Sequence, residues 1–195
     1  VDHFQLQLNL TQLIEQATLG LNRTVGDNTA QCVAFFKKRF ETVLIGMGIS
    51  NDVIQWVLPN GMQWTLHAID AARSMQAIKE TNPTGYALLV ESMGRVAKII
   101  DGFNDAIPID SNSFEHDIEH ILNDNFKALK EKNPRGVFND SSIPNALDFC
   151  TSLTVYFEDV LVNADNNDVA RNRKSLLKEI RDYFYGVGDW LQLVK

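Results

Sequence analysis

Apolar residues recur along this chain at spacings of three and four and hardly anywhere at two, the pattern of helices rather than strands. Leu6, Leu10, Leu13, Ile14, Ala17 and Leu21 share one face and predict a first helix over 4–21, broken by Gly26-Asp27-Asn28. Asn28 or Thr29 is placed to cap a second helix reaching Gly46, with Val33, Phe36, Phe40, Val43 and Leu44 as its inward stripe. Ser50 caps a short third helix over 52–58, which Pro59 is expected to stop.

The middle of the chain is apolar over a wider arc. A helix over 62–81 puts Trp64, Ala68, Ala71 and Met75 on one face and Met62, Leu66, Ile69 and Ala77 on another. The next, over 86–103, spreads Leu88, Leu89, Val90, Met93, Val96, Ile99, Ile100 and Phe103 around more than half its girth. Helices of this kind need neighbours on several sides, so these two are expected at the centre of a bundle. Three more follow: 114–132, capped by Ser113, on Phe114, Ile118, Ile121, Leu122 and Leu129; 144–164, opened by Pro144, on Leu147, Cys150, Leu153, Phe157, Val160 and Leu161; and 169–185 on Leu176, Leu177, Ile180, Tyr183 and Phe184. The expected fold is all-α, a bundle of seven or eight helices in a single domain spanning 1–195, with no linker or repeat to divide it.

Composition alters this picture little. The 45% hydrophobic and 22% charged content suits an ordinary soluble globular chain, and no apolar run approaches the roughly 20 residues needed for a transmembrane segment. Charge says more: 18 Lys+Arg against 25 Asp+Glu leave a net −7, which opposes the basic field of most nucleic-acid binders and argues against nucleic acid as a partner. Three features lean towards a secreted or extracellular protein, with a cytoplasmic one as the alternative. The chain shows no initiator Met, Cys32 and Cys150 make an even pair able to close a disulfide, and Asn9, Asn22 and Asn139 begin Asn-x-Ser/Thr sequons. The sequon count is close to chance in a chain this rich in Asn, Ser and Thr.

Chemical motifs are sparse. His116-Asp117-Ile118-Glu119-His120 fits the H-x-x-E-H spacing in which two His one turn apart hold zinc and the Glu polarises water. On a helix starting at Phe114, the apolar stripe centres near about 50° while the two imidazoles fall at roughly 200° and 240°, so both should face solvent, away from any third ligand. His67 reads as a half-buried core histidine, and Gly46-Met47-Gly48 as a helix end rather than a phosphate cradle. Arg171, Lys174, Lys178 and Arg181 form a basic row opposite the apolar stripe of the last helix, where a solvated face belongs.

What stands out is the wide apolar belt. Met62, Trp64, Met75, Tyr86, Met93 and Phe103, among small neighbours, suit a cavity between the central helices, since Met adapts its shape. The leading expectation is therefore a non-enzymatic binding protein with no cofactor, enclosing a small hydrophobic ligand or lipid. The alternatives are a protein–protein interaction module docking through apolar surface near Trp56, Phe138 or Trp190, and a metal-dependent hydrolase on His116, Glu119 and His120.

Overall fold

The structure, a computed structural model, describes residues 9–20, 27–61, 65–133 and 139–194. Among the described residues there are eight α-helices and no strand: α1 (Leu10–Gly20), α2 (Asp27–Gly46), α3 (Asn51–Gly61), α4 (Thr65–Thr81), α5 (Pro83–Ile99), α6 (Asp117–Lys132), α7 (Ile143–Asp159) and α8 (Asn167–Tyr185). The all-α bundle read from the periodicity is the fold. Leu6, Leu21, Asn22, Met62, Trp64 and Phe138 lie outside the described residues.

Helix α5 is the most enclosed, packing against α4, α7, α8 and the C-terminal segment. It begins earlier than its apolar run because Asn82 caps it, its Oδ1 accepting from the Gly85 N–H at 2.9 Å, with Pro83 pre-set at the first helical position. It ends before Phe103, where Gly102 takes φ 71°, a left-handed conformation that an L side chain resists. Helix α4 buries Ala68, Ala71, Ala72, Met75 and Ile78 on one broad face and shows Asp70, Arg73, Ala77 and Glu80 to solvent. Of the second apolar face, Ile69 is half-buried against the core and Ala77 is exposed.

The C-terminal segment closes the bundle. After Gly186 the chain folds back so that the Asp189 N–H donates to the Trp56 carbonyl at 2.8 Å, and Gly188 passes where a Cβ would stand 2.6 Å from that same oxygen. Trp56 and Trp190, both fully buried, meet edge-to-face at 5.2 Å. Phe126, Phe149, Phe184 and Trp190 continue the ring contacts through α6, α7 and α8 at 5.7, 5.9 and 6.2 Å. Each pair adds about 0.5–1.5 kcal/mol to its area burial.

Several boundaries moved for local reasons. Helix α3 carries Pro59 inside its last turn and runs on to Gly61. Helix α7 stops at Asp159, and the extended chain beyond it alternates: Val160 and Val162 point in, whereas Leu161, expected inward, is 69% exposed. On α2 only part of the expected stripe is covered, with Phe40 and Leu44 buried but Phe36 and Val43 exposed.

Candidate functional site

The strongest chemical feature is a charged clasp at the start of α6. Arg173 on α8 is 2% exposed and Glu119 on α6 fully buried. The Arg173 Nε–H donates to Glu119 Oε1 at 2.8 Å, and Nη2 to Glu119 Oε2 at 3.0 Å and Glu115 Oε2 at 2.9 Å. Nη1 donates to the Leu161 carbonyl at 3.1 Å, so one guanidinium ties α8 to α6 and to the turn after α7. Glu119 Oε2 also accepts from the backbone N–H groups of Glu115 and His116, at 2.9 and 3.0 Å. Burial alone would raise the Glu119 pKa, but the guanidinium and the two backbone donors outweigh it and hold the carboxyl below its usual range. This reach-back is why α6 starts at Asp117 rather than at Phe114 with a Ser113 cap.

The next residues of α8 fasten the long connection from α5 to α6. Arg171 donates to the Asp105 carbonyl at 2.9 Å, and the Ile107 N–H donates to Ser175 Oγ at 3.0 Å. Asn172 exchanges two hydrogen bonds of 2.9 Å with the backbone of Asp110. Lys174 sits 5.9 Å from the Phe103 ring centre. A surface groove of about 490 Å³ lies along this strap, walled by Ile107, Pro108, Lys127, Lys130 and Lys178. Its cations are locally balanced: Lys130 pairs with Glu179 at 2.7 Å, Lys127 with Asp124 at 3.4 Å and Lys178 with Asp182 at 2.6 Å. A second groove, beside Arg73 and Asp140, is bridged by a 2.6 Å bond from Ser74 Oγ to Asp140 Oδ1.

These positions revise the motif readings. Glu119 is occupied by Arg173, while His116 precedes the helix and His120 packs its ring edge-to-face on Phe114 at 5.0 Å. Within the H-x-x-E-H segment the carboxylate is thus engaged by the clasp. Among the described residues no group of three or more His, Cys, Asp and Glu is placed to hold a metal ion. The expected disulfide is absent: Cys32 is an exposed free thiol on α2 and Cys150 a buried one on α7, its pKa pushed up to about 12 by burial. The basic row is not simply solvated, since Arg171 and Lys174 hold the strap and Lys178 and Arg181 share Asp182.

Of the belt residues, Met75 and Met93 are buried in the main core, whereas the Tyr86 hydroxyl donates to Asp52 Oδ2 at 3.2 Å and Phe103 lies under Lys174 on the strap. Neither groove described above is lined by any of them. Trp56 and Trp190, the proposed docking residues, are fully buried. Sequence reasoning missed Arg173 and Asn172, although a signal existed: Arg173 stands three residues before Leu176, four before Leu177 and seven before Ile180, in the middle of the apolar stripe.

No family model matches the chain. It is similar to the glycine–tRNA ligase beta subunit of Listeria monocytogenes, 28% identical over 149 residues that make up 76% of this chain and 21% of that protein. The beta subunit of Shewanella sediminis is 28% identical over 200 residues, 94% of this chain and 27% of its own length. A chloroplastic/mitochondrial glycine–tRNA ligase of Arabidopsis thaliana is 24% identical over 185 residues, 93% of this chain and 17% of its own. The chain spans between a fifth and about a quarter of the length of the two bacterial relatives.

The likeness corrects the functional expectations. Relatives named as ligases overturn the non-enzymatic carrier of a hydrophobe, and their tRNA overturns the exclusion of nucleic acid. Bacterial and organellar tRNA ligases also count against a secreted protein. No helix among the described residues is long and apolar enough to cross a membrane.

Proposed function

We propose that this chain is a region of a tRNA ligase that attaches glycine, and that within it the helical bundle contacts and positions tRNA. The observation behind this reading is a single alignment pattern: relatives named for that activity match between 76% and 94% of the chain. The geometry suits a positioning role. Charges join the elements: buried Arg173 and Glu119 tie α8 to α6, and half-buried Lys79 and Asp52 tie α4 to α3 at 2.6 Å. Because the bacterial relatives are subunits by name, a companion chain of the same ligase is the second partner class we assign.

The test is binding of transcribed glycine tRNA to the purified chain by fluorescence anisotropy. The expected result is saturable binding at least tenfold tighter than that of an unrelated tRNA of equal length, since phosphate attraction alone gives dissociation constants of about 10⁻⁴ to 10⁻⁶ M without preference. Equal affinity for both tRNAs, or none for either, refutes the reading.

A further inference from the structure

Helix α2 carries Phe35-Phe36-Lys37-Lys38-Arg39-Phe40, and of these six residues only Phe40 is buried. Phe35 is 61% exposed and Phe36 39%. Lys38 and Arg39 follow Phe35 by three and four residues, which sets both cations beside its ring on one helix face. Lys37, Lys38 and Arg39 are all exposed, and none enters any ion pair among the described residues; nor does Glu41 on the next turn. Lys79, Lys127, Lys130, Arg171, Lys178 and Arg181 are each paired with a carboxylate; Arg73, Lys98 and Lys132 also enter no ion pair among the described residues, but only on α2 do three such cations stand in succession beside exposed rings.

Two exposed rings beside three cations that enter no ion pair among the described residues, in a chain of net charge −7, point to a partner with both negative charge and flat apolar surface. We propose that this face of α2 is the contact for an unpaired stretch of RNA, with bases stacking on Phe35 and Phe36 and phosphates running along Lys38 and Arg39. The inference rests on the tRNA-ligase reading and adds where on this chain the RNA lies. An unpaired stretch is specified because a base can stack on a ring only when its own face is free. An acidic protein segment would satisfy the cations and leave the rings idle.

The test uses the full 195-residue chain and three labelled probes: glycine tRNA, a single strand of roughly 12 nucleotides, and a duplex of the same length. The tRNA and single strand are expected to bind more tightly than the duplex. Phe35→Ala should weaken them by about tenfold, while Phe35→Trp keeps affinity because its ring still stacks. Lys38→Gln with Arg39→Gln should flatten the log–log salt dependence by roughly 1.4, at about 0.7 per phosphate contact of a single strand. Circular dichroism checks that helix content and melting are unchanged. If glycine tRNA binds the wild type but these variants bind it equally well, the α2 site is wrong and the tRNA reading stands. If the wild type binds no RNA, both fall. Duplex binding as tight as single-strand binding also overturns the site. So does preference for phosphatidylserine vesicles, or loss of self-association in Phe35→Ala without loss of RNA binding.

Discussion

Replacing Arg173 by Met keeps the bulk of the side chain and removes the charge, leaving Glu119 buried with its two backbone donors but no counter-ion. Truncating one partner of a buried ion pair costs about 3–5 kcal/mol. For a chain of this size each kcal/mol moves the melting temperature by about 2–4 °C, so a loss of roughly 6–20 °C is expected at pH 7. The sign of the pH dependence is the sharper test. In the wild type the Glu119 pKa is depressed, so its contribution is complete above the unfolded carboxylate value of about 4.3 and fades as pH falls through the folded one. Without the guanidinium, burial dominates and raises that pKa, and the group then costs stability as pH rises above the unfolded value. The gap between wild type and Arg173→Met should therefore widen from pH 4 to pH 7. Urea denaturation at both pH values reads it. A gap that is constant or narrows, or a double-mutant cycle with Glu119→Gln giving under about 0.5 kcal/mol of coupling, would refute the clasp as an energetic joint.

Other outcomes follow from individual contacts. Gly188→Ala should destabilise by about 1–3 kcal/mol, because its Cβ would stand 2.6 Å from the Trp56 carbonyl oxygen; an unchanged melting curve would mean that the C-terminal segment gives way. Trp190→Ala should cost about 3–5 kcal/mol from loss of a fully buried ring, read by the same melts. The Tyr156 hydroxyl is buried without a hydrogen-bond partner among the described residues, so Tyr156→Phe should be neutral or stabilising by about 1 kcal/mol. Burial tends to raise the Asp52 pKa, yet hydrogen bonds from Lys79 and Ser50 lower it to about 2. Its contribution is therefore present above about pH 4 and lost towards pH 2, and Asp52→Asn should differ from wild type at pH 6 and converge with it in acid. Added zinc should not raise the melting temperature, and His120→Ala should leave stability within about 0.5 kcal/mol of wild type.

How far the chain can be read from its letters depends on the range of the forces involved. Helices are local, and the three-and-four spacing located all eight, with errors at the ends where a distant or capping group decides: Asn82 for α5 and Glu119 for α6. The clasp was half legible. Arg173 on an apolar stripe is an anomaly visible in one helix, but its partner, 54 positions away, emerges only from the packing of α6 on α8. Treating 116–120 as a zinc motif considered the imidazoles and left the carboxylate without its cation. The belt residues separated for a similar reason: periodicity reports that a face is apolar, and cannot tell whether helix, strap or solvent covers it.

The exclusion of nucleic acid failed on a question of length. A net charge of −7 describes the field far from the molecule, but at physiological ionic strength that field decays over about 8 Å, less than the rise along six residues of helix. Within that distance of Lys38 the relevant charges are its neighbours, and on α2 these are Lys37 and Arg39, with Glu41 as the opposing acid. The acidic surplus therefore matters only where it is near: Glu179, Asp124 and Asp182 neutralise the lysines of the α6–α8 groove, and none of the ion pairs among the described residues does the same on α2. Partner class follows from this local balance, and a chain acidic as a whole can still present one face to a polyanion.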